Sequence, residues 1–294
     1  MYSRFIGRFF AGFALAISAL VFAPTVFAYG AQTARPTPPA NLPDSKAVLY
    51  AIPADNGLLW YRHDGRQDGS FLWATPAGLQ VGRGWDFTTV VGAGGGVMYA
   101  VNAAGELIWY RHDGAGDGSF RWATPAGKTV NTGFQGMQVI AAGAGVLYGL
   151  KPNGELRWFR HEGYTDGSDR WTAREGRVVA TDWHFACIFA GDGGVIYGLT
   201  STGDLFRFRH TGREDGTNRW NYTEGQYIAA RWNYISAFSG GDGVIYTVTP
   251  AHELLWFRDD GAGDESVNWA FPQGKVVGTG WEFKTIFSGV TLQQ

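Results

Sequence analysis

From residue 47 onward the apolar residues come in short runs, rich in β-branched and aromatic side chains and divided by glycine-bearing turns. Phe87 to Val91 (FTTVV), Val97 to Val101 (VMYAV) and Leu107 to His112 (LIWYRH) predict three strands, and a shorter segment around Trp122 predicts a fourth. No helical period runs through this part of the chain. In the third of these strands Leu, Trp and Tyr follow one another without a polar face, as in a strand buried on both sides.

The pattern repeats. LLWYRHDGRQDG at Leu58 is followed by LIWYRHDGAGDG at Leu107, LRWFRHEGYTDG at Leu156, LFRFRHTGREDG at Leu205 and LLWFRDDGAGDE at Leu254, always 49 residues apart. A four-stranded antiparallel meander in five tandem copies predicts an all-β, five-bladed β-propeller spanning residues 47–294, with the fourth strand outermost. Turn residues agree: Gly105, Gly154 and Gly203 share one position with Asn56 and His252, all types that tolerate positive φ. Gly78, Gly127, Gly176, Gly225 and Gly274 mark a second such position. The repeats begin on a second-strand motif (VLYAI, Val48 to Ile52) and end on a first-strand motif (FKTIF, Phe283 to Phe287), so the C-terminal strand should complete the first blade and close the ring.

Ahead of the repeats, Arg4 and Arg8 precede an apolar run from Phe9 to Val21, and Val26-Phe27-Ala28 offers a small-residue cleavage site. Residues 1–28 are expected to be a secretory signal peptide rather than a membrane anchor, because so short an apolar core, followed by Pro24, spans a bilayer of about 30 Å poorly. Residues 29–46 read as a Pro-rich linker. Loss of Arg4 and Arg8 with the signal changes the net charge from −2 to −4. A chain of that charge offers no basic field for nucleic acid and, once cleaved, nothing for membrane insertion. Cys187 is the single cysteine, so no internal disulfide is possible. It is expected to be a buried, unreactive residue of an inner strand.

Candidate chemistry begins with His63, Asp64 and Asp68, which could supply a general base or metal ligands. The competing reading is a hairpin in which Asp68 accepts turn amides or pairs with Arg62. Repetition favours the hairpin: His63, His112, His161 and His210 each belong to a different unit and Asp259 takes the fifth place, whereas an enzyme needs one assembled site. The calcium-loop pattern fails as well, since Asp64 becomes Glu162 and then Thr211, and no bidentate acid follows at a fixed offset. No enzyme, metal or cofactor is expected.

Sugar binding instead needs aromatic faces beside hydrogen-bonding groups. The segments between blades combine the two: Trp85-Asp86, Trp183-His184, Trp232-Asn233 and Trp281-Glu282, with Phe134-Gln135 the weakest version. The rings could equally wedge adjacent blades, while the position after them stays polar as its identity drifts. Asp68, Asp117, Asp166, Asp215 and Asp264 recur in all five loops, either as ligand acceptors or as turn caps. Arg62 and Trp73, with their counterparts, read as packing.

The strand motifs VLYAI, VMYAV and VIYGL, together with the GWDF and GWEF segments between blades, resemble the tachylectin family over about residues 47 to 290. The resemblance implies a non-catalytic, five-bladed lectin propeller that binds N-acetylated hexosamines, chiefly N-acetylglucosamine or N-acetylgalactosamine, between adjacent blades. It places the loop from His63 to Ser70 and the segment Gly84-Trp85-Asp86, with their counterparts, at the sugar. The chain departs from the pattern at GFQG (Gly133 to Gly136), and Asp259 and Glu265 add negative charge to the fifth loop. An up-and-down strand count puts loop and connecting segment at opposite faces of the ring. The overall expectation is a secreted, monomeric lectin, with a protein-interaction propeller as the alternative.

Overall fold

The computed structural model describes residues 46–293; the expected signal peptide, and the linker except for Lys46, lie outside the described residues. Five four-stranded antiparallel sheets form the blades. Blade 2 shows the order from the inside outward: Thr89–Gly94, Val97–Val101, Leu107–Arg111 and Lys128–Asn131. Blade 3 runs Gln138–Ala141, Val146–Leu150, Leu156–His161 and Trp171–Ala180. Blade 4 runs Cys187–Ala190, Val195–Leu199, Leu205–His210 and Trp220–Ala229. Blade 5 runs Ser236–Gly241, Val244–Val248, Leu254–Arg258 and Lys275–Gly278.

Blade 1 is assembled from both ends of the described chain. Thr285–Ser288 pairs antiparallel with Ala47–Ile52, which is followed outward by Gly57–His63 and Leu79–Arg83. Tyr50 faces Phe287 in this register, so the expected ring closure is present. The five innermost strands touch in cyclic order, blade 1 to blade 2 and round to blade 5 and back.

The core lies between the blades. Each of the five buried clusters joins two neighbours: Tyr148 and Trp158 of blade 3, for example, pack with Ile196 and Phe208 of blade 4. That is why the third strands carry no polar face. Trp60, Trp109, Trp158 and Trp256 are at most 1% exposed, and each contributes roughly 2–3 kcal/mol by area alone.

One element departs from expectation. In blades 1, 2 and 5 the segment around the outer tryptophan is not a strand but a single bridge, His63 to Trp73, His112 to Trp122 and Asp259 to Trp269. The regular strand starts only beyond it. In blades 3 and 4 the outer strand is continuous for 10 residues. Proline explains the difference: Pro76, Pro125 and Pro272 stand where blades 3 and 4 have Arg174 and Thr223, and proline has no N–H for the ladder.

Candidate functional site

The face bearing the loops after the third strands is organised by buried imidazoles. The Nε2–H of His63 donates to the Ser70 carbonyl at 2.9 Å, which leaves Nδ1 to accept the Tyr246 hydroxyl of blade 5 at 2.7 Å. His112 with Tyr50, His161 with Tyr99 and His210 with Tyr148 repeat the bond at 2.7–2.9 Å. Both imidazole nitrogens are thus committed, and burial lowers the pKa of all four histidines. They are neutral struts, not bases. Trp73 stacks on His63 at 4.5 Å and donates its indole N–H to Val277 of blade 5. In the reverse direction, the Trp256 indole of blade 5 donates to the Arg66 carbonyl in the loop of blade 1.

Beyond Ser70 the loop turns back on itself. The Asp68 carboxylate accepts the Ser70 N–H at 2.9 Å, and Asp117, Asp166, Asp215 and Asp264 do the same two residues on. These bonds, led by the Ser or Thr side chain, lower the pKa of all five carboxyls, so each is an ionised acceptor on the surface. Asp117, Asp166 and Asp215 also pair with Arg121, Arg170 and Arg219 at 2.9–3.4 Å. Leu72 and Asn268 replace that arginine beside Asp68 and Asp264. The Arg62 family acts mainly in packing: Arg111, Arg160 and Arg258 donate to the carbonyls of Thr165, Glu214 and Gln67 in the next loop at 2.7–3.0 Å.

The connecting segments lie on the opposite face, as the strand count requires. Each is pinned to its own second-to-third-strand turn, Trp85 N–H to the Asn56 carbonyl and Trp281 N–H to that of His252. Asn56 and His252 adopt φ of 61° and 60°, the left-handed conformation expected there. Trp85, Trp183, Trp232 and Trp281 are 5–7% exposed and wedge against the next blade. Trp85, for instance, lies 4.8 Å from Tyr110 and 5.6 Å from Trp122. Phe134 fills the same place against Phe159 at 4.9 Å. The polar residues that follow, Asp86, Gln135, His184, Asn233 and Glu282, are all exposed. Loop and connector therefore do not share one groove; Trp281 reaches Asp68 only through Trp73, His63 and Ser70.

The seam between blades 4 and 5 is built differently. Arg207 replaces the tryptophan, Asp259 the histidine and Glu265 a glycine, three coordinated changes at one contact. Arg207 Nη1 bonds both oxygens of Asp259 at 2.8 and 2.7 Å, and Tyr197 donates its hydroxyl to the same carboxylate. The extra negative charge of Asp259 is thus neutralised inside the seam, and Glu265 pairs with Arg209 and Asn221. The tyrosine struts and Arg207 are residues that the sequence reading passed over. Their signal was the constant 49-residue spacing of Tyr50, Tyr99, Tyr148, Tyr197 and Tyr246, and the change at position 207 in the seam that also loses its histidine.

Among the described residues no three His, Cys, Asp or Glu side chains gather as a metal site. Cys187 opens the inner strand of blade 4, with its thiol pushed up to about 11 by burial. No helix of the described residues is long and apolar enough to cross a membrane.

The molecule is a five-bladed β-propeller in which, among the described residues, exposed carboxylates recur in the same loop of every blade. Residues 185–291, which span blades 4 and 5 and the closing strand, match the Tachylectin family, and the tachylectin resemblance is borne out over that stretch. No curated protein sequence matches the chain. Among solved structures, a mutant of the Aleuria aurantia lectin in complex with α-methyl-L-fucoside aligns with 15% identity over 80% of this chain and 75% of that one, at a TM-score of 0.44. SapL1 lectin in complex with α-methyl fucoside aligns with 18% identity over 78% and 82%, at 0.40. Prp20p from Saccharomyces cerevisiae, described with its binding to Gsp1p and histones, aligns with 13% identity over 79% and 60%, at 0.38.

Proposed function

We propose that the protein is a secreted, monomeric, non-enzymatic lectin that binds N-acetylated hexosamines, such as N-acetylglucosamine or N-acetylgalactosamine, at its repeated seams. The observation that carries this reading is the recurrence of an exposed, ionised carboxylate in the same loop geometry at all five seams, in a chain with a tachylectin match. Asp68 and Asp264, whose second oxygen has no arginine beside it, are the members best placed to accept two sugar hydroxyls or an acetamido N–H. Sites of this kind are individually weak and gain from simultaneous engagement on a glycan-dense surface.

Two sets of residues compete for the sugar. On the loop face they are Asp68, Asp117, Asp166, Asp215 and Asp264. On the connector face they are Asp86, His184, Asn233 and Glu282, beside the edges of Trp85, Trp183, Trp232 and Trp281. Isothermal titration with both sugars tests the function itself, and absence of heat at millimolar sugar together with a blank glycan array defeats it. Asp68→Ala with Asp264→Ala, set against His184→Ala with Asn233→Ala, decides the face.

A protein-binding propeller is the second reading, favoured by the apolar loop tips Phe71, Leu72 and Phe120, which are 58–62% exposed. A Phe71→Ser, Phe120→Ser variant that loses a captured partner while sugar binding persists, or never existed, supports it.

A further inference from the structure

We infer that the loop face carries, at the seam between blades 1 and 2, a separate site for the anionic group of an acidic saccharide. This cleft, of about 500 Å³, is lined by Lys46, Arg62, Arg111, Asp113, Gly116 and Thr291 among others, a volume within the range of small-ligand sites. It is one of a set. The corresponding cleft at the blade 2–blade 3 seam carries Tyr164 and Thr165, and that at the blade 4–blade 5 seam carries Asp192, Asp242 and Asp260. Of these three clefts the first alone gathers a lysine and two arginines; Arg111 also borders the second and Arg209 the third.

What distinguishes it is Arg62. In blades 2, 3, 4 and 5 the equivalent arginine gives one guanidinium nitrogen to its own blade and another to a carbonyl of the next loop: Thr165, Glu214, Ala262 and Gln67. Arg62 instead puts Nε and Nη2 on Asp64, at 2.8 and 3.4 Å. Among the described residues its Nη1 donates to no carbonyl of the following loop. The guanidinium is therefore held by Asp64, half-buried, and part of the cleft wall. Lys46 stands 4.0 Å from the same Asp64 with a side chain half exposed. The one acid in the cleft wall, Asp113, is held by Arg111 Nε at 2.8 Å.

A guanidinium held by a carboxylate, beside an exposed ammonium, suits a carboxylate or a sulfate ester, both of which accept two parallel N–H bonds. Gly95 and Gly116 in the wall, where a Cβ would meet nothing within 4 Å, leave room for a ring to approach the backbone. None of the five loop carboxylates proposed for neutral sugars lines this cleft, although Asp117 directly follows Gly116 of its wall.

The test is isothermal titration of the full chain with D-glucuronate, D-glucose 6-sulfate and D-glucose. One acid bound per chain, with affinity that falls as salt rises and no comparable heat from glucose, is the expected result. Which of the two acids binds more tightly identifies carboxylate or sulfate as the recognised group. Arg62→Gln should weaken that binding about tenfold or more without lowering the melting temperature, since Arg62 does not clamp the next blade; Arg160→Gln should lower the melting temperature and leave acid binding intact. Lys46→Ala gives an independent, smaller loss. Equal responses to all three sugars, or unchanged acid binding in Arg62→Gln, overturn the site. N-acetylglucosamine titrated into the same variant keeps this outcome distinct from failure of the neutral-sugar reading.

Discussion

His112 is 1% exposed, accepts the Tyr50 hydroxyl at Nδ1 and donates its single N–H, on Nε2, to the Ser119 carbonyl. Removing the ring in His112→Ala leaves a buried hydroxyl and a buried carbonyl without partners and opens a cavity, so chemical denaturation should show a loss of about 2–4 kcal/mol. Four such histidines also make stability depend on pH. Burial lowers their folded pKa below the ordinary value of 6.5, so below that value the unfolded chain binds more protons than the folded one. Stability is then full above pH 6.5 and falls as pH drops toward the lowered folded values. The five loop aspartates, whose pKa lies below 3.8, add a second loss only in stronger acid. Melting temperatures measured from pH 8 to pH 3 should therefore fall in two stages, and a flat profile from pH 7 to pH 5 would contradict the neutral-strut assignment. That the Arg-His-Asp cluster is scaffold could be read from its fivefold recurrence. The partner could not: Tyr50 precedes His112 by 62 residues and belongs to the preceding blade, a contact created by stacking rather than by any local pattern.

Between elements, the seam of blades 4 and 5 shows how a repeat can diverge without coming apart. At Gly216 a Cβ would overlap the Trp158 ring, and the same holds at Gly69, Gly118 and Gly167 against their tryptophans. Once Arg207 replaces the tryptophan, the position can carry Glu265 at φ 65°, and Arg207 needs the acid that Asp259 supplies. Each change is tolerable only with the others. Arg207→Ala should cost about 3–5 kcal/mol, because Asp259 would remain buried and unpaired. The triple change Arg207→Trp, Asp259→His, Glu265→Gly should recover most or all of the parent stability, by rebuilding the seam that the other four pairs of blades use. Denaturant midpoints of the two variants check this, and a triple variant no better than Arg207→Ala would show that the seam is not modular. Sequence alone displayed Asp259 and Glu265 as departures with added charge. It did not show their neutralisation, since Arg207 lies 52 residues from Asp259. The proline-split outer strands were missed for a related reason: the tryptophan in that segment suggested strand, while proline decided the ladder.

Across the whole ring the five-blade count, the closure and the positive-φ turns were legible because a strict 49-residue period turns one local pattern into a global constraint. Which groups face an open cleft was not legible, because that depends on how neighbouring blades stack. Closure also has a second layer. After Thr285–Ser288 the chain continues across the loop face, where Thr291 accepts the Gly95 N–H of blade 2 and Gln293 exchanges bonds with Asp192 and Gly193 of blade 4. Val290 and Leu292 join the inner strands of all five blades in lining a cavity of about 150 Å³. The tail thus ties together blades that share no strand pairing, whereas the strand before it supplies the inner edge of blade 1. The two parts should fail differently. Deleting residues 281–294 removes the strand, the Trp281 wedge and its tilted ring contacts with Tyr61 and Trp73, exposes an edge where the ring should close, and should abolish cooperative unfolding. Deleting only residues 290–294 leaves every blade with four strands, so the domain should still fold, with a melting temperature lower by a few degrees and faster amide exchange in the innermost strands. Scanning calorimetry and hydrogen exchange on the two truncations separate these outcomes; an unchanged melting temperature in the longer deletion would mean that the ring does not depend on its C-terminal strand.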